Sequence, residues 1–226
     1  MNLNKQIGDE FIIYDNIQFF EELVKNDINI NFKYKFGDKV FSLKQIVESE
    51  HFIQKITDDI KSKGFSPLEE LVAVYDIAKN FKPYLNGTSI ADSRALYEYL
   101  DSDYIVCAGY ADLIVNLGHR LNAKYAEIGL ETMGGEGHAR NYVNIVDNKY
   151  NIDGFYVLEP TWEHSGKIKD AKFEEYKSFY KRFLLTTDEG RNGNGPDETV
   201  NLNPNRHGGY DILLTMETPE EIKKYF

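Results

Sequence analysis

The chain contains a single cysteine, Cys107, within Tyr104-Ile105-Val106-Cys107-Ala108-Gly109-Tyr110-Ala111-Asp112. Downstream lie Gly137-His138-Ala139-Arg140-Asn141 and Leu158-Glu159-Pro160-Thr161-Trp162. A thiol, an imidazole and a carboxylate are the parts of an activated sulfur nucleophile. The thiolate attacks a carbonyl, the histidine moves the proton and the carboxylate orients the histidine. Taken singly, each residue has an ordinary reading: a small buried thiol, a surface histidine, a charge at a strand end. Their order along the chain points to chemistry. His51, His119, His164 and His207 have no comparable setting and read as structural or solvated.

The elements that must position these groups follow from periodicity. Past Cys107, apolar or small residues at 111, 114, 115, 118 and 121 predict an amphipathic helix to about Leu121, with Asn122 as a left-handed stop. Cys107 then opens a helix, where the unpaired N–H groups and partial positive charge favour a thiolate and can bind an oxyanion. Gly109 allows close approach of a substrate or another backbone. Residues 123–130 predict a strand and 132–137 a glycine-rich loop presenting His138. Strands over 139–146 and 155–159 follow.

Upstream, residues 17–24 have helical rhythm, and Ile30, Phe32, Tyr34 and Phe36 alternate as in a strand. Residues 41–60 return to helical spacing. Ser66-Pro67-Leu68-Glu69 opens a further helix with a capping box, its buried stripe being Leu68, Leu71, Val72, Tyr75 and Ala78. Asn86-Gly87-Thr88 reads as a turn and 92–100 as a short helix capped by Asp92. The polar stretch 186–209 predicts a long loop, 210–216 a last strand, and Thr218-Pro219-Glu220-Glu221 a final helix start.

Two carboxylates compete for the imidazole, Asp153 and Glu159. A hairpin turn centred at 148–149 would set His138 opposite Glu159 and leave Asp153 beside Asn144, near the turn and away from the ring. Directly opposed residues lie within about 5.5 Å. This geometry favours Glu159.

Together these blocks resemble the transglutaminase-like superfamily. That family has a small residue, Cys, any residue, Gly and Tyr at a helix start. It then has His-Ala-Trp-Asn on one strand and Asp-Pro-Thr-Trp ending the next. The corresponding residues are Val106-Cys107-Ala108-Gly109-Tyr110, His138-Ala139-Arg140-Asn141 and Glu159-Pro160-Thr161-Trp162, and the resemblance spans roughly residues 71–162. It implies an α+β fold with a papain/transglutaminase-like core. In such a core the Cys107 helix packs on an antiparallel sheet carrying His138 and Glu159. Residues 1–65 are then a mainly helical lobe, and 66–226 the core with a C-terminal extension. Two positions depart from the family pattern. Arg140 stands where Trp is usual, and Glu159 replaces Asp, adding about 1.5 Å of reach that the ring or backbone must accommodate.

The implied activity is that of a cysteine enzyme on amide bonds, with Cys107, His138 and Glu159 as its triad. Protease, amidase, deamidase and transamidase chemistry all pass through a thioester, and hydrolysis is slightly preferred. The expected partner is a protein or peptide substrate, and no cofactor is required. The competing reading is an inert transglutaminase-like fold serving as a protein-binding module, which Glu159 and Arg140 motivate.

Composition excludes several alternatives. With 226 residues, 42% of them hydrophobic, the chain can bury a proper core. Its formal charge of −11 disfavours nucleic acid as a partner. One cysteine makes no internal disulfide, and no signal peptide or membrane-spanning run is visible, so a cytoplasmic protein is expected. A phosphatase loop would need Arg where Leu113 stands, zinc-ligand clusters and a phosphate-binding Gly-Lys-Ser/Thr are lacking, and 188–194 matches a calcium loop poorly.

Overall fold

A computed structural model describes residues 12–28, 30–34, 39–84, 96–121, 123, 125–131, 137–163, 183–184 and 210–213. The architecture is α+β: helices accompany two small antiparallel sheets. The chain divides into two compact units, Met1–Lys55 with His207–Phe226, and Ile56–Arg206.

In the first unit, α1 (Ile12–Asp15) and α2 (Ile17–Lys25) precede β1 (Asn31–Tyr34) and β2 (Val40–Ser42). A third strand, β6 (Tyr210–Leu213), pairs with the other side of β1, giving the antiparallel order β2-β1-β6. Ile30, Phe32, Phe41 and Leu43 are buried, and Phe20 meets Phe32 edge-on at 6.3 Å. The helical rhythm expected from residue 41 begins later, at α3 (Leu43–Ser62). Ser42 and Gln45 form reciprocal bonds: the Ser42 N–H donates to Gln45 Oε1 at 3.0 Å and the Gln45 N–H to Ser42 Oγ at 3.3 Å. That capping box starts the helix and frees Val40 and Phe41 to pair with β1.

The second unit carries all three residues singled out above. α4 (Pro67–Asn80) starts where Ser66 and Pro67 predict, and the Ser66 N–H donates to Glu69 Oε2 at 2.9 Å. Its buried stripe is Leu68, Leu71, Val74, Tyr75 and Ala78. Val72 is only half-buried, because steps of three and four from Leu71 lead to Val74 and Tyr75. α5 (Leu96–Asp101) overlaps the short helix expected over 92–100 and ends one residue later; the proposed cap Asp92 lies outside the described residues.

α6 (Cys107–Arg120) differs from the amphipathic helix expected. Residues 109–118 and Arg120 are all buried, because β3, β4, α4 and α5 pack around it. Its polar residues at successive turns satisfy one another along the helix. Asn116 Nδ2 donates to Asp112 Oδ2 at 2.9 Å, and Arg120 Nη1 to Asn116 Oδ1 at 2.9 Å. The helix start is tied to the preceding chain: Tyr110 Oη donates to the Lys82 carbonyl at 2.7 Å, and the Ile105 N–H to that of Pro83 at 3.0 Å.

β3 (Tyr125–Glu131), β4 (Gly137–Asp147) and β5 (Ile152–Leu158) form the second antiparallel sheet, with β4 central. β4 is longer than expected, so His138 stands within the strand rather than on a loop feeding it. The β4–β5 register is displaced from that expected by two residues: Asn144 pairs with Phe155 and Asp153 with Val146. The turn causes this. Asp147 Oδ1 accepts the Lys149 N–H at 2.8 Å, and Asn151 adopts a left-handed φ of 52° before β5 begins. β5 ends at Leu158, one residue short of the expected end.

No helix among the described residues is long and apolar enough to cross a membrane. Outside the described residues lie Asn122, the turn at 86–88, residues 132–136, the loop at 186–209, residues 214–216 of the last expected strand, and the helix from Thr218.

The hairpin turn also caps α4. Asp147 Oδ2 accepts the Leu68 N–H at 2.8 Å, and Lys149 Nζ and Tyr150 Oη each meet Glu69 Oε1 at 2.7 Å. Burial pushes the Asp147 carboxyl up. Bonds from Ser66 and from the backbone N–H groups of Leu68, Lys149 and Tyr150 outweigh that and hold it below its ordinary 3.8. Asp147→Ala is therefore expected to destabilise the protein by about 1–2 kcal/mol in urea unfolding at neutral pH. Because the folded value is depressed, that contribution is present above pH 3.8 and lost as pH falls through the lower folded value. Wild type and variant should converge in acid; a gap that persists there counts against the assignment.

Candidate active site

Val106 is the N-cap of α6, in extended conformation, so Cys107 is the first helical residue. Its thiol is a free cysteine of intermediate exposure, in the first turn of α6. The first N–H groups of a helix have no partner within it, and they converge on this thiol with the helix dipole behind them.

His138 is buried on β4, 7% exposed, and its ring lies close enough to the Cys107 side chain for each to shift the other's ionisation. Its Nε2 lies 2.6 Å from Glu159 Oε2. The ring nitrogen left for sulfur is thus Nδ1. β4 is held against α6 by Asn141, whose Nδ2 donates to the Ala111 carbonyl at 2.9 Å. Asn141 lies three residues past His138 and Ala111 four past Cys107, so this bond sets the spacing between the two side chains.

Glu159 is 1% exposed. It is not directly opposite His138, as the expected register would have it. The last pair of the ladder is Asn141 with Leu158, so Glu159 follows the end of β5 and would continue the register beside Arg140. The carboxylate reaches the ring diagonally, a distance that long side chains span. The additional methylene of Glu over Asp is what this placement uses. The other oxygen, Oε1, accepts the Thr161 N–H at 3.2 Å, capping the single 3-10 turn Pro160–Trp162. The competing Asp153 is exposed near the far end of the hairpin, opposite Val146. Eight residues of strand separate Val146 from His138, roughly 27 Å.

The electrostatics follow from these contacts. Burial opposes ionisation of Cys107. The His138 hydrogen bond, the Ala139 and Ala108 N–H groups and the imidazolium charge overcome it and hold the thiol below its ordinary 9.0. Burial likewise opposes protonation of His138. Its bonds to Cys107 and Glu159, with their negative charges, prevail and lift it to about 9. Near neutral pH His138 carries its proton and the Cys107 thiol beside it ionises more readily than a free one, a couple poised toward thiolate and imidazolium and backed by an acceptor carboxylate. Such a couple can attack an electrophilic carbonyl without first finding a base.

Arg140, where a Trp had been the pattern, is buried rather than forming an exposed wall, and its guanidinium lies 5.9 Å from the centre of the Tyr142 ring. Sequence reasoning did not assign the Ala139 and Ala108 N–H groups, the Thr161 N–H or Tyr75, whose hydroxyl donates to the Glu159 carbonyl at 3.2 Å. Backbone donors carry no side-chain signature, and Tyr75 reads only as one member of an apolar stripe. Among the described residues no cluster of His, Cys, Asp and Glu could hold a metal ion.

No protein-family model matches this chain, and no curated protein does. Among solved structures, the crystal structure of a TGase matches with a TM-score of 0.43 at 11% identity, over 74% of this chain. The chain spans 42% of the length of that structure.

Iodoacetamide alkylation followed against pH reads this site directly. Cys107 is expected to react readily at pH 7 and below, and His138→Ala to return it to the behaviour of an unassisted thiol, with a pKa of about 8.5. Glu159→Gln removes a negative charge from beside the ring and should lower the His138 pKa from about 9, read by NMR of the imidazole. A wild-type thiol that titrates like a free cysteine would contradict the couple described here.

Proposed function

We propose that this protein is a transglutaminase-like cysteine enzyme, an amide hydrolase or acyltransferase working through a thioester on protein or peptide substrates. The observation that carries the reading is the relay formed by the partly exposed Cys107 thiol, the His138 ring that acts on it and the buried Glu159 carboxylate bonded to that ring. A buried cysteine of purely structural use needs no such partners.

In the proposed reaction Cys107 Sγ, as thiolate, attacks the carbonyl carbon of a carboxamide or peptide bond. The oxyanion is held by the Cys107 N–H at the start of α6 and by a second donor from another segment. The carbon–nitrogen bond then breaks, and the His138 imidazolium gives its Nδ1 proton to the departing amine or ammonia. Glu159 accepts the Nε2–H throughout, fixing the tautomer and ring orientation. In the second half, water or a primary amine attacks the thioester and gives a proton to His138. The thiolate leaves, restoring the starting couple. Water yields hydrolysis or deamidation; a lysine amine yields a cross-link.

The core that carries this chemistry is proposed to be papain/transglutaminase-like. Its arrangement of Cys at a helix start, His on a neighbouring strand and the acid just past the next supports that assignment. We place the reaction in the cytoplasm, where a lone free thiol stays reduced.

Incubation with glutamine-containing peptides and a fluorescent primary amine, with mass spectrometry of the Cys107 peptide, tests the proposal. An acyl adduct on Cys107 is expected, together with ammonia release and either hydrolysed or amine-labelled product. Cys107→Ala should abolish both, His138→Ala should slow turnover by about a thousandfold or more, and Glu159→Gln by about a hundredfold or more. If no amide or peptide substrate acylates the wild-type thiol, the enzyme reading fails and the binding-module reading takes its place.

A further inference from the structure

Glu159 is the acceptor on which the relay ends, yet it has no strand pairing to hold it. β5 stops at Leu158, and Glu159 has φ −124° and ψ 74° ahead of the 3-10 turn. Its carboxylate also hangs from one more rotatable bond than an Asp would offer, so more torsional freedom must be removed to fix it. Three contacts do so. His138 Nε2 takes Oε2 and the Thr161 N–H takes Oε1. The third acts on the backbone: Tyr75 Oη donates to the Glu159 carbonyl at 3.2 Å. A fixed carbonyl fixes ψ at Glu159, and with it the orientation of the whole residue beneath the ring.

Tyr75 is suited to that task. It is fully buried, and its ring packs on Phe183 with centroids 5.0 Å apart. It belongs to α4, whose N-terminus is anchored to the other end of the same β4–β5 hairpin through Leu68, Glu69, Asp147 and Lys149. The hydroxyl also lies 3.5 Å from Glu163 Oε2, just past the turn. Glu163 is itself buried, and its charge acts on buried Lys79 of α4, beside Asp76.

We infer that Tyr75 is a positioning residue for the relay: by holding the Glu159 carbonyl, its hydroxyl sets where the Glu159 carboxylate meets the His138 ring. The inference rests on the thiol-enzyme reading for its purpose, but its readout does not require turnover. The charged and titratable groups acting on the His138 ring are Cys107 on α6 and Glu159; Glu163 faces the Tyr75 hydroxyl, and Lys79 and Asp76 of α4 lie behind Glu163.

The test is Tyr75→Phe, which removes one oxygen and keeps the ring. His138 is followed by NMR titration and Cys107 by alkylation at pH 6, with thermal unfolding in parallel. The variant is expected to lower the His138 pKa and slow alkylation about fivefold, the size of one hydrogen bond. In a Glu159→Gln background the same change should have no further effect on either readout, because Tyr75 acts only through Glu159. An unchanged titration, or equal effects in both backgrounds, overturns the inference and leaves Tyr75 a core residue. Should the variant not fold, the Tyr75 hydroxyl proton of the wild type is expected to shift as His138 titrates, and a resonance indifferent to that titration overturns it equally. Absence of any acyl adduct on Cys107 would instead sink the enzyme reading while leaving this one judged on the His138 ring.

Discussion

The contact between His138 Nε2 and Glu159 Oε2, 2.6 Å long and nearly cut off from water, is the constraint around which the second unit is arranged. A buried carboxylate without a cationic or donor partner is costly, and so is a buried imidazolium without an acceptor. Each makes the other tolerable. Cys107 and this pairing together lift His138 to about 9, and the imidazolium, with the Ala139 and Ala108 N–H groups, in turn holds the Cys107 thiol down. Glu159 thus supports the charge on the ring, and that charge is one of the groups that lower the thiol.

Much of the surrounding structure serves to keep three segments in register. α4 grips the β4–β5 hairpin at its turn, through Asp147, Lys149 and Glu69, and again near Glu159, through Tyr75. Asn141 fastens β4 to α6. α6 is enclosed along nearly its whole length, with an internal ladder linking the buried side chains of Asp112, Asn116 and Arg120. Cys107 and Ala108 in its first turn and His119 in its last are only half-buried, and the first turn bears the thiol. A helix so thoroughly packed is a rigid mount, which suits a nucleophile whose reach must be held to fractions of an ångström.

Legibility in the sequence varied with the range of the interaction responsible. Ser66-Pro67-Leu68-Glu69 marks a helix start by bonds spanning three residues, and α4 begins there. Ser42 and Gln45 carry the same signal, and overlooking it merged β2 into the following helix. The helix opened by Cys107 was visible in its apolar spacing, but its burial on all sides was not. Spacing reports one face, whereas the residues 112, 116 and 120 that look solvated are buried and bonded to one another along the helix. The offset in the hairpin came from Asp147, which looks like a simple turn residue yet organises a four-residue turn closed by left-handed Asn151.

By itself the sequence determined the inventory: a thiol at a helix start, an imidazole on or next to a strand and an acid after the following strand. These depend on neighbours a few residues apart, which the local chain encodes. Only the tertiary structure decided that Glu159 and not Asp153 lies against the ring, that it arrives diagonally from beyond the ladder, and that Tyr75 holds it in place. Those outcomes turn on a two-residue register and on contacts bridging up to 84 residues of chain. No local pattern records them, because the partners meet only once the hairpin has closed on α4 and α6.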